Sequence, residues 1–263
     1  MTGVNKSWIA QLLQFDRDGD TFVVTEPPAG PGSRLFGGLI AAQSLGAAGA
    51  TVEPDKHPHS LHLYFVRGGS YDAEVEFVVE RTRDGRSFDT RRVTATQHGK
   101  VIMEMITSFQ IPESGVDHHP PAIDPVGLDG MSPQTPPIEL ADRFEFRWKA
   151  SDSPFPVPPL WLRTRDEIED DPLVRACTLA FMSDFGTVPG ARPPGTVVTP
   201  EAGFATSLDH AVWFHRPFNP HEWHRYDLRN MNNSGSRGLV TGSFYDTSNR
   251  LVATTTQEAL FRF

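Results

Sequence analysis

Cysteine is nearly absent: Cys177 is the single one in 263 residues. An internal disulfide framework is thereby excluded, and a chain this long needs none, because one large domain or two ordinary ones bury enough apolar surface unaided. No run approaches the roughly 20 apolar residues of a membrane span. The opening MTGVNKSWIAQLLQF has one Lys, no secretory apolar core and no small-residue cleavage site. The expected location is the reducing cytoplasm, where the sequons Asn5-Lys6-Ser7 and Asn232-Asn233-Ser234 are chance matches. Positive charge is also scarce, with 24 Lys and Arg against 33 Asp and Glu. Polyanion affinity rests on phosphate neutralisation, so no nucleic-acid partner is expected, and an anionic ligand must find its positive contacts locally.

Several chemical signatures are missing as well. There is no Gly-x-Ser-x-Gly nucleophile elbow, since Gly235-Ser236-Arg237-Gly238 has the wrong spacing. His57, His59 and His62, like His210 and His215, have spacings a metal tolerates but bring no carboxylate or cysteine in a recognised pattern. No metal and no cofactor are expected. The run Asp16–Asp20 has a calcium-loop look, but its Gly falls early and Pro27 stands where a terminal Glu belongs. It reads instead as a turn into the strand Thr21–Val24.

Proline and phenylalanine, by contrast, are plentiful. Pro112, Pro120, Pro121, Pro125, Pro133, Pro136 and Pro137 punctuate a stretch with little apolar periodicity, which reads as an extended connector over residues 113–140. Residues 1–112 and 141–263 are then separate folding units. Each shows one plan. In the first, a small-residue helix over 36–52 precedes strand-like runs near 59–67, 73–82, 87–97 and 100–110. In the second, Asp171 caps a helix entering through Pro172 and reaching about Phe185, before runs near 204–216, 222–232, 236–246 and 251–262. Phe65-Val66-Arg67 answers Phe214-His215-Arg216, and Lys100-Val101 answers Arg250-Leu251, at offsets of 149 and 150, the mark of a tandem duplication.

The helix over 171–185 is apolar around nearly its whole circumference and must be surrounded. A helix enclosed by a curved antiparallel sheet is the hotdog arrangement. Near the helix end stands Asp184, a carboxylate the pattern places largely out of water, where its charge is costly without partners. Cys177, in the same helix, reads as core packing.

The stretches Leu35-Phe36-Gly37-Gly38, His59–Gly68 (HSLHLYFVRG), Arg83–Val93 (RDGRSFDTRRV), Gln97–Lys100 (QHGK) and Leu208–Asn219 (LDHAVWFHRPFN) resemble the acyl-CoA thioesterase II (TesB-like) family. The resemblance runs from about residue 10 to the end and is weak only in the connector. It implies an α+β double hotdog, two tandem halves each a curved antiparallel sheet wrapped around a long central helix, that hydrolyses fatty-acyl-CoA to free acid and CoA. It further implies homo-oligomers formed through the sheets, and a water positioned by an Asp, a Thr or Ser, and a Gln. These map to Asp184 in Phe181–Phe185, to Ser207 two residues before Asp209, and to Gln257 in Thr256-Gln257-Glu258. Thr206 adjoins Ser207, so a one-residue register error exchanges them. Because strand side chains alternate, only one is expected to face the site. The first helix has only Gln43 and Ser44 in place of the Asp, so a single site in the second half is expected, with the first half as scaffold and pocket wall.

The chemistry suits these residues. A thioester carbonyl is electrophilic and a thiolate leaves readily, so orienting and partly deprotonating a water suffices. Asp184 is the candidate base, and the helix dipole at its position tends to raise its pKa. Ser207 and Gln257 supply a hydroxyl and a non-titrating amide. An oxyanion donor is left open between helix-end N–H groups and the Gln257 amide. Arg81, Arg83, Arg86, Arg91 and Arg92 form a cluster suited to CoA phosphates, or equally to structural ion pairs. Two rival readings are a non-catalytic acyl-CoA-binding protein and a hotdog hydratase, the latter on the faint echo Phe218-Asn219-Pro220-His221.

Overall fold

A computed structural model of the chain describes residues 6–25, 34–122, 125–138, 140–150, 158–196 and 203–262. Asn5 and Pro27 fall outside them. After a short helix α1 (Trp8–Leu12), the strands β1 (Asp16–Asp18) and β2 (Thr21–Val24) form a hairpin. Helix α2 (Gly37–Gly49) leads to β3 (His57–Phe65), β4 (Val75–Asp84), β5 (Phe88–Gln97) and β6 (Lys100–Gln110). Next come β7 (Ser132–Gln134), β8 (Phe144–Trp148), β9 (Leu160–Thr164), α3 (Pro172–Met182) and α4 (Thr187–Ala191). The chain ends with β10 (Phe204–Ser207), β11 (Asp209–Phe214), β12 (His224–Ser234), β13 (Arg237–Tyr245) and β14 (Leu251–Arg262).

All these strands belong to one antiparallel sheet, in the order β1-β2-β4-β5-β6-β3-β11-β14-β13-β12-β9-β8-β7, with β10 pairing separately on β14. The join is β3 against β11, from Tyr64 opposite Asp209 to Ser60 opposite Trp213. Outward from it the arrangement repeats: β6, β5, β4 and β2 on one side answer β14, β13, β12 and β9 on the other. One recurring contact shows how close the match is. The Arg67 guanidinium donates to the Val101 carbonyl at 2.8 Å, and that of Arg216 donates to the Leu251 carbonyl.

Both long helices lie inside. Residues 38–48 of α2 and 176–182 of α3 are all buried, and the two helices pack on each other. Their ends are locked by aromatic rings: Phe36 meets Phe181 and Phe185 at 5.1 Å each, and Trp8 and Phe144 flank Phe181 at 5.4 and 5.6 Å. Such ring pairs add specificity to the apolar burial that drives the packing. At the start of α3 the Asp171 carboxylate accepts from Leu173 N–H (2.8 Å) and Val174 N–H (3.0 Å), with Pro172 in the first helical position, as expected. Cys177 is fully buried, and that burial pushes its thiol pKa up.

Four details differ from the expectations drawn from sequence. Helix α3 stops at Met182, leaving Asp184 and Phe185 in a turn that Gly186 closes with a φ of 78°, a conformation open to glycine. The run 204–216 is two strands, divided at Leu208. Strands β8 and β9 have no counterpart among the expected runs, because at five residues each they are too short to stand out, even though β8 alternates apolar and charged residues. The proline-rich stretch is not wholly irregular, since β7 within it pairs with β8.

Candidate active site

The two long helices meet at a buried carboxylate. Asp184 follows α3, and its Oδ2 accepts from the N–H of Gly38 in the first turn of α2 at 2.9 Å. That approach requires glycine. A Cβ on Gly38 would lie 2.4 Å from the Phe181 carbonyl oxygen, and one on Gly37 would lie 2.7 Å from Asp184 Oδ2. The Thr187 hydroxyl lies 3.2 Å from Asp184 Oδ1 and also within reach of the Asp184 carbonyl at 3.0 Å. Burial raises the Asp184 pKa to about 7, against the opposing hydrogen bonds from Thr187 and Gly38. The dominant cause is therefore desolvation and not the α3 dipole, and the N-terminus of α2 facing the carboxylate favours its charge.

Gln257, on β14, is fully buried, and its Nε2 donates to Thr187 Oγ1 at 2.8 Å and to Ser207 Oγ at 2.7 Å. Asp184, Thr187, Gln257 and Ser207 thus form a connected chain of polar groups. The hydroxyl joined to it belongs to Ser207; Thr206 Oγ1 reaches only the Ser207 carbonyl, at 3.5 Å. The reason is a β-bulge. Ser207 sits opposite Ala259 on β14, whereas Ala211 sits opposite Thr256, so three residues on one strand span two on the other. The extra residue, Leu208, breaks the alternation and re-aims Ser207.

Two groups in this cluster are not singled out by the sequence. Thr187 stands three residues after Asp184 in the turn into α4, and its only signal is a hydroxyl within a helical turn's reach of a buried acid. The Gly38 amide has none. A backbone donor from the first half of the chain completes the surroundings of a carboxylate in the second, so the first half is more than a wall. Gln43, by contrast, turns away and donates to the Leu12 carbonyl at 3.2 Å.

A cleft of about 1000 Å³ opens onto Asp184. Apolar side chains line much of it, including Phe36, Ile40, Phe65, Met103 and Val188, and Thr206 and Ser207 lie on its wall. Arg34, Arg67 and Arg192 also line it. Arg34 and Arg67 are exposed, and among the described residues neither makes an ion pair. The arginine cluster of β4 and β5 behaves differently. Arg81 clasps Asp20 at 2.8 and 2.9 Å, the buried Arg91 bonds Thr51 and Asp84, and Arg92 faces Glu80 and Glu104. None of the cluster's five arginines lines the cleft.

Three of the histidines meet protein groups. His59 meets Ser108 at 2.7 Å, His215 meets Thr254 at 2.8 Å, and the His62 ring stands edge-on to Trp213 at 4.9 Å. Among the described residues no group of three or more His, Cys, Asp or Glu is placed to hold a metal. His221, of the hydratase echo, contacts the Thr164 carbonyl at 3.2 Å and does not line the cleft.

The chain as a whole is similar to known proteins. Residues 157–260 match the family described as acyl-CoA thioesterase, and residues 25–110 match the acyl-CoA thioesterase N-terminal domain. The chain is 34% identical over 253 residues to acyl-CoA thioesterase 2 of Haemophilus influenzae, with 88% of each chain covered. It is 35% identical over 266 residues to human acyl-coenzyme A thioesterase 8, covering 88% of this chain and 82% of the relative. A crystal structure of an acyl-CoA thioesterase II, TesB2, from Mycobacterium marinum superimposes with a TM-score of 0.82 at 35% identity over 98% of each chain. A hot dog fold protein from Alicyclobacillus acidocaldarius superimposes at 0.74 with 18% identity and 98% of this chain covered, a likeness of fold alone.

Proposed function

Since the chain belongs to the acyl-CoA thioesterase family and hydrolyses acyl-CoA to a free acid and CoA, we propose that a water held by Asp184, Ser207 and Gln257 is the nucleophile. The observation that carries this reading is the position of Asp184. It is a carboxylate with a pKa raised to about 7 at the inner end of an apolar cleft, tied through Thr187 to Gln257 and Ser207. A base of that pKa is half-ionised near neutrality, where proton abstraction is most effective. Asp184 takes a proton from the water as its oxygen attacks the thioester carbonyl. The C–S bond of the tetrahedral intermediate then breaks, and the CoA thiolate leaves. Gln257 directs both amide hydrogens to hydroxyls, so it is not the oxyanion donor; Ser207 accepts one of them and keeps its own proton to hold the water.

The acyl chain lies along Phe36, Ile40 and Met103, and the CoA phosphates lie at the mouth against Arg34 and Arg67, whose charges are not neutralised by carboxylates among the described residues. This supplies the local positive contacts that a chain of net charge −9 requires. Arg34→Ala with Arg67→Ala is expected to raise KM for acyl-CoA about tenfold or more, while leaving KM for a phosphate-free acyl thioester of N-acetylcysteamine about unchanged. Equal changes with both substrates would remove the phosphates from this rim.

We further read the fold as a double hotdog, with residues 1–112 and 141–263 each wrapping one central helix and 113–140 as connector; the repeated strand order and the matched Arg67 and Arg216 contacts support it. The protein acts in the cytoplasm as a homo-oligomer. Tyr64 and Ile106, exposed on neighbouring strands of the outer sheet face, support association there. The test of the mechanism is free-thiol release from acyl-CoAs of graded chain length. Wild type releases thiol and Asp184→Asn loses about 100-fold or more in kcat; a variant as active as wild type would end the reading.

A further inference from the structure

His210 lies on β11, within a stretch that carries the family resemblance, yet it has no part in the chemistry above. It is also deeply buried, only 1% exposed. Its Nε2 lies 2.7 Å from the hydroxyl of Ser183, the residue before Asp184. Its Nδ1 is buried without a hydrogen-bond partner, and so is Oε1 of Gln257. The register makes these two residues facing neighbours: Ala211 sits opposite Thr256, so the next position on each strand brings His210 opposite Gln257. Two orphaned polar atoms, one able to donate and one only to accept, therefore stand on adjacent side chains that are both turned into the core.

The internal repeat shows that the fold itself does not ask for an imidazole here. At offsets of 149 and 150 the counterparts of His210 and Gln257 are Leu61 and Thr107, which pair in the same way across β3 and β6. Leu61 is fully buried and apolar. The first half thus fills the position with hydrocarbon, and the His–Gln pair occurs in the half that carries Asp184.

Resting on the assignment of Asp184 and Gln257 to the water, we propose that His210 is a positioning residue whose Nδ1–H donates to Gln257 Oε1 and so locks the direction of the whole hydrogen-bond chain. One arrangement of protons satisfies every one of these side chains beside an ionised Asp184. In it the Thr187 proton goes to the Asp184 carboxylate at 3.2 Å and not to the Asp184 carbonyl at 3.0 Å, and the Thr187 oxygen accepts from the Gln257 amide; the amide nitrogen then faces both hydroxyls, and Oε1 faces β11. The Nδ1–H tautomer satisfies Oε1 there and leaves Nε2 to accept from the Ser183 hydroxyl at 2.7 Å, which then turns its one proton away from the Ala180 carbonyl 2.9 Å off. Burial keeps the ring neutral, with its pKa pushed down to about 4 by desolvation. Without His210, the amide is free to turn and present Oε1 to Thr187. Thr187 then gives its proton to the amide oxygen and withdraws it from Asp184.

The test compares His210→Leu, the residue the repeat already accommodates, with His210→Asn, whose Nδ2 reaches the place of Nδ1 and keeps a donor. His210→Leu is expected to lower kcat about 10- to 100-fold with KM about unchanged. The acidic limb of its kcat/KM profile moves to higher pH, because Asp184 has lost a donor to its charged form. His210→Asn is expected to recover most of the rate and the original limb. If His210→Leu melts well below wild type, His210→Asn alone decides, and it supports the proposal only with a near-wild-type rate and limb. The proposal is overturned if a folded His210→Leu keeps both the rate and the limb, or if His210→Asn is impaired at wild-type melting temperature. Asp184→Asn run alongside separates the two readings: an inactive Asp184→Asn beside a fully active His210→Leu sinks only the role of His210, whereas full activity in both sinks the site itself.

Discussion

A single carboxylate sets much of the character of this protein. Asp184 is buried, and its pKa of about 7 exceeds the ordinary 3.8 of an aspartate because desolvation outweighs the donors around it. Between those two values the folded protein binds a proton that the unfolded chain does not, so the Asp184 contribution to stability falls as pH rises from about 4 to about 7 and levels off above. The wild type is therefore expected to lose melting temperature across that window, and Asp184→Asn, which cannot titrate, to lose less. Thermal melts of both proteins from about pH 4.5 to about pH 8 check this, and parallel curves would mean that Asp184 is not the group titrating. With Asp184 as the proposed base the opposite trend is expected for rate, since only the ionised form accepts a proton: a pH profile of kcat/KM is expected to fall as pH drops below about 7. The cost to stability and the benefit to chemistry come from the same desolvation.

At the scale of elements, the contact between α2 and α3 is what brings a backbone donor onto that carboxylate. Gly37 and Gly38 allow it, each in its own way. A methyl at position 38 meets the Phe181 carbonyl, part of a rigid helix end, so Gly38→Ala is expected to push the helices apart and cost about 1–3 kcal/mol in denaturant unfolding. A methyl at position 37 instead meets the Asp184 carboxylate and the outer edge of the Phe65 ring, side-chain ends that can swing, so Gly37→Ala is expected to spare stability and lower kcat about tenfold or more by displacing the proposed base. If both variants lose only stability, the glycines serve packing alone. The bulge at Leu208 acts similarly between β10 and β11, since it lets Ser207 and His210 both face Gln257 despite their odd separation along the chain.

The whole molecule is held as a unit by its one sheet, which passes from β3 to β11 without an edge, and by the buried helix pair beneath it. Calorimetry is expected to give a single transition whose calorimetric and van't Hoff enthalpies agree. Two resolved transitions would mean that the halves behave as independent domains despite the shared sheet. The site spans both halves in the same way, with Asp184, Ser207 and Gln257 in one and the Gly38 amide in the other.

Much of this is written in local pattern. Asp171 and Pro172 announce the start of α3, the 149–150 offset announces the repeat, and the long strands of both halves lie within a few residues of where alternation places them. The candidate residues Asp184, Ser207 and Gln257 are legible only through the resemblance to the thioesterase family, carried by the motifs around them. What tertiary structure alone decided depends on groups distant in the chain. Strands β8 and β9 are only five residues long, and their neighbours in the sheet make them strands. The Arg81–Arg92 cluster is spent on Asp20, Asp84 and Glu104, partners that no spacing rule connects. The choice of Ser207 over Thr206 rests on a bulge defined by pairing with β14. A backbone N–H such as that of Gly38 leaves no side-chain signature at all, and becomes part of the site only when packing carries one helix end onto another.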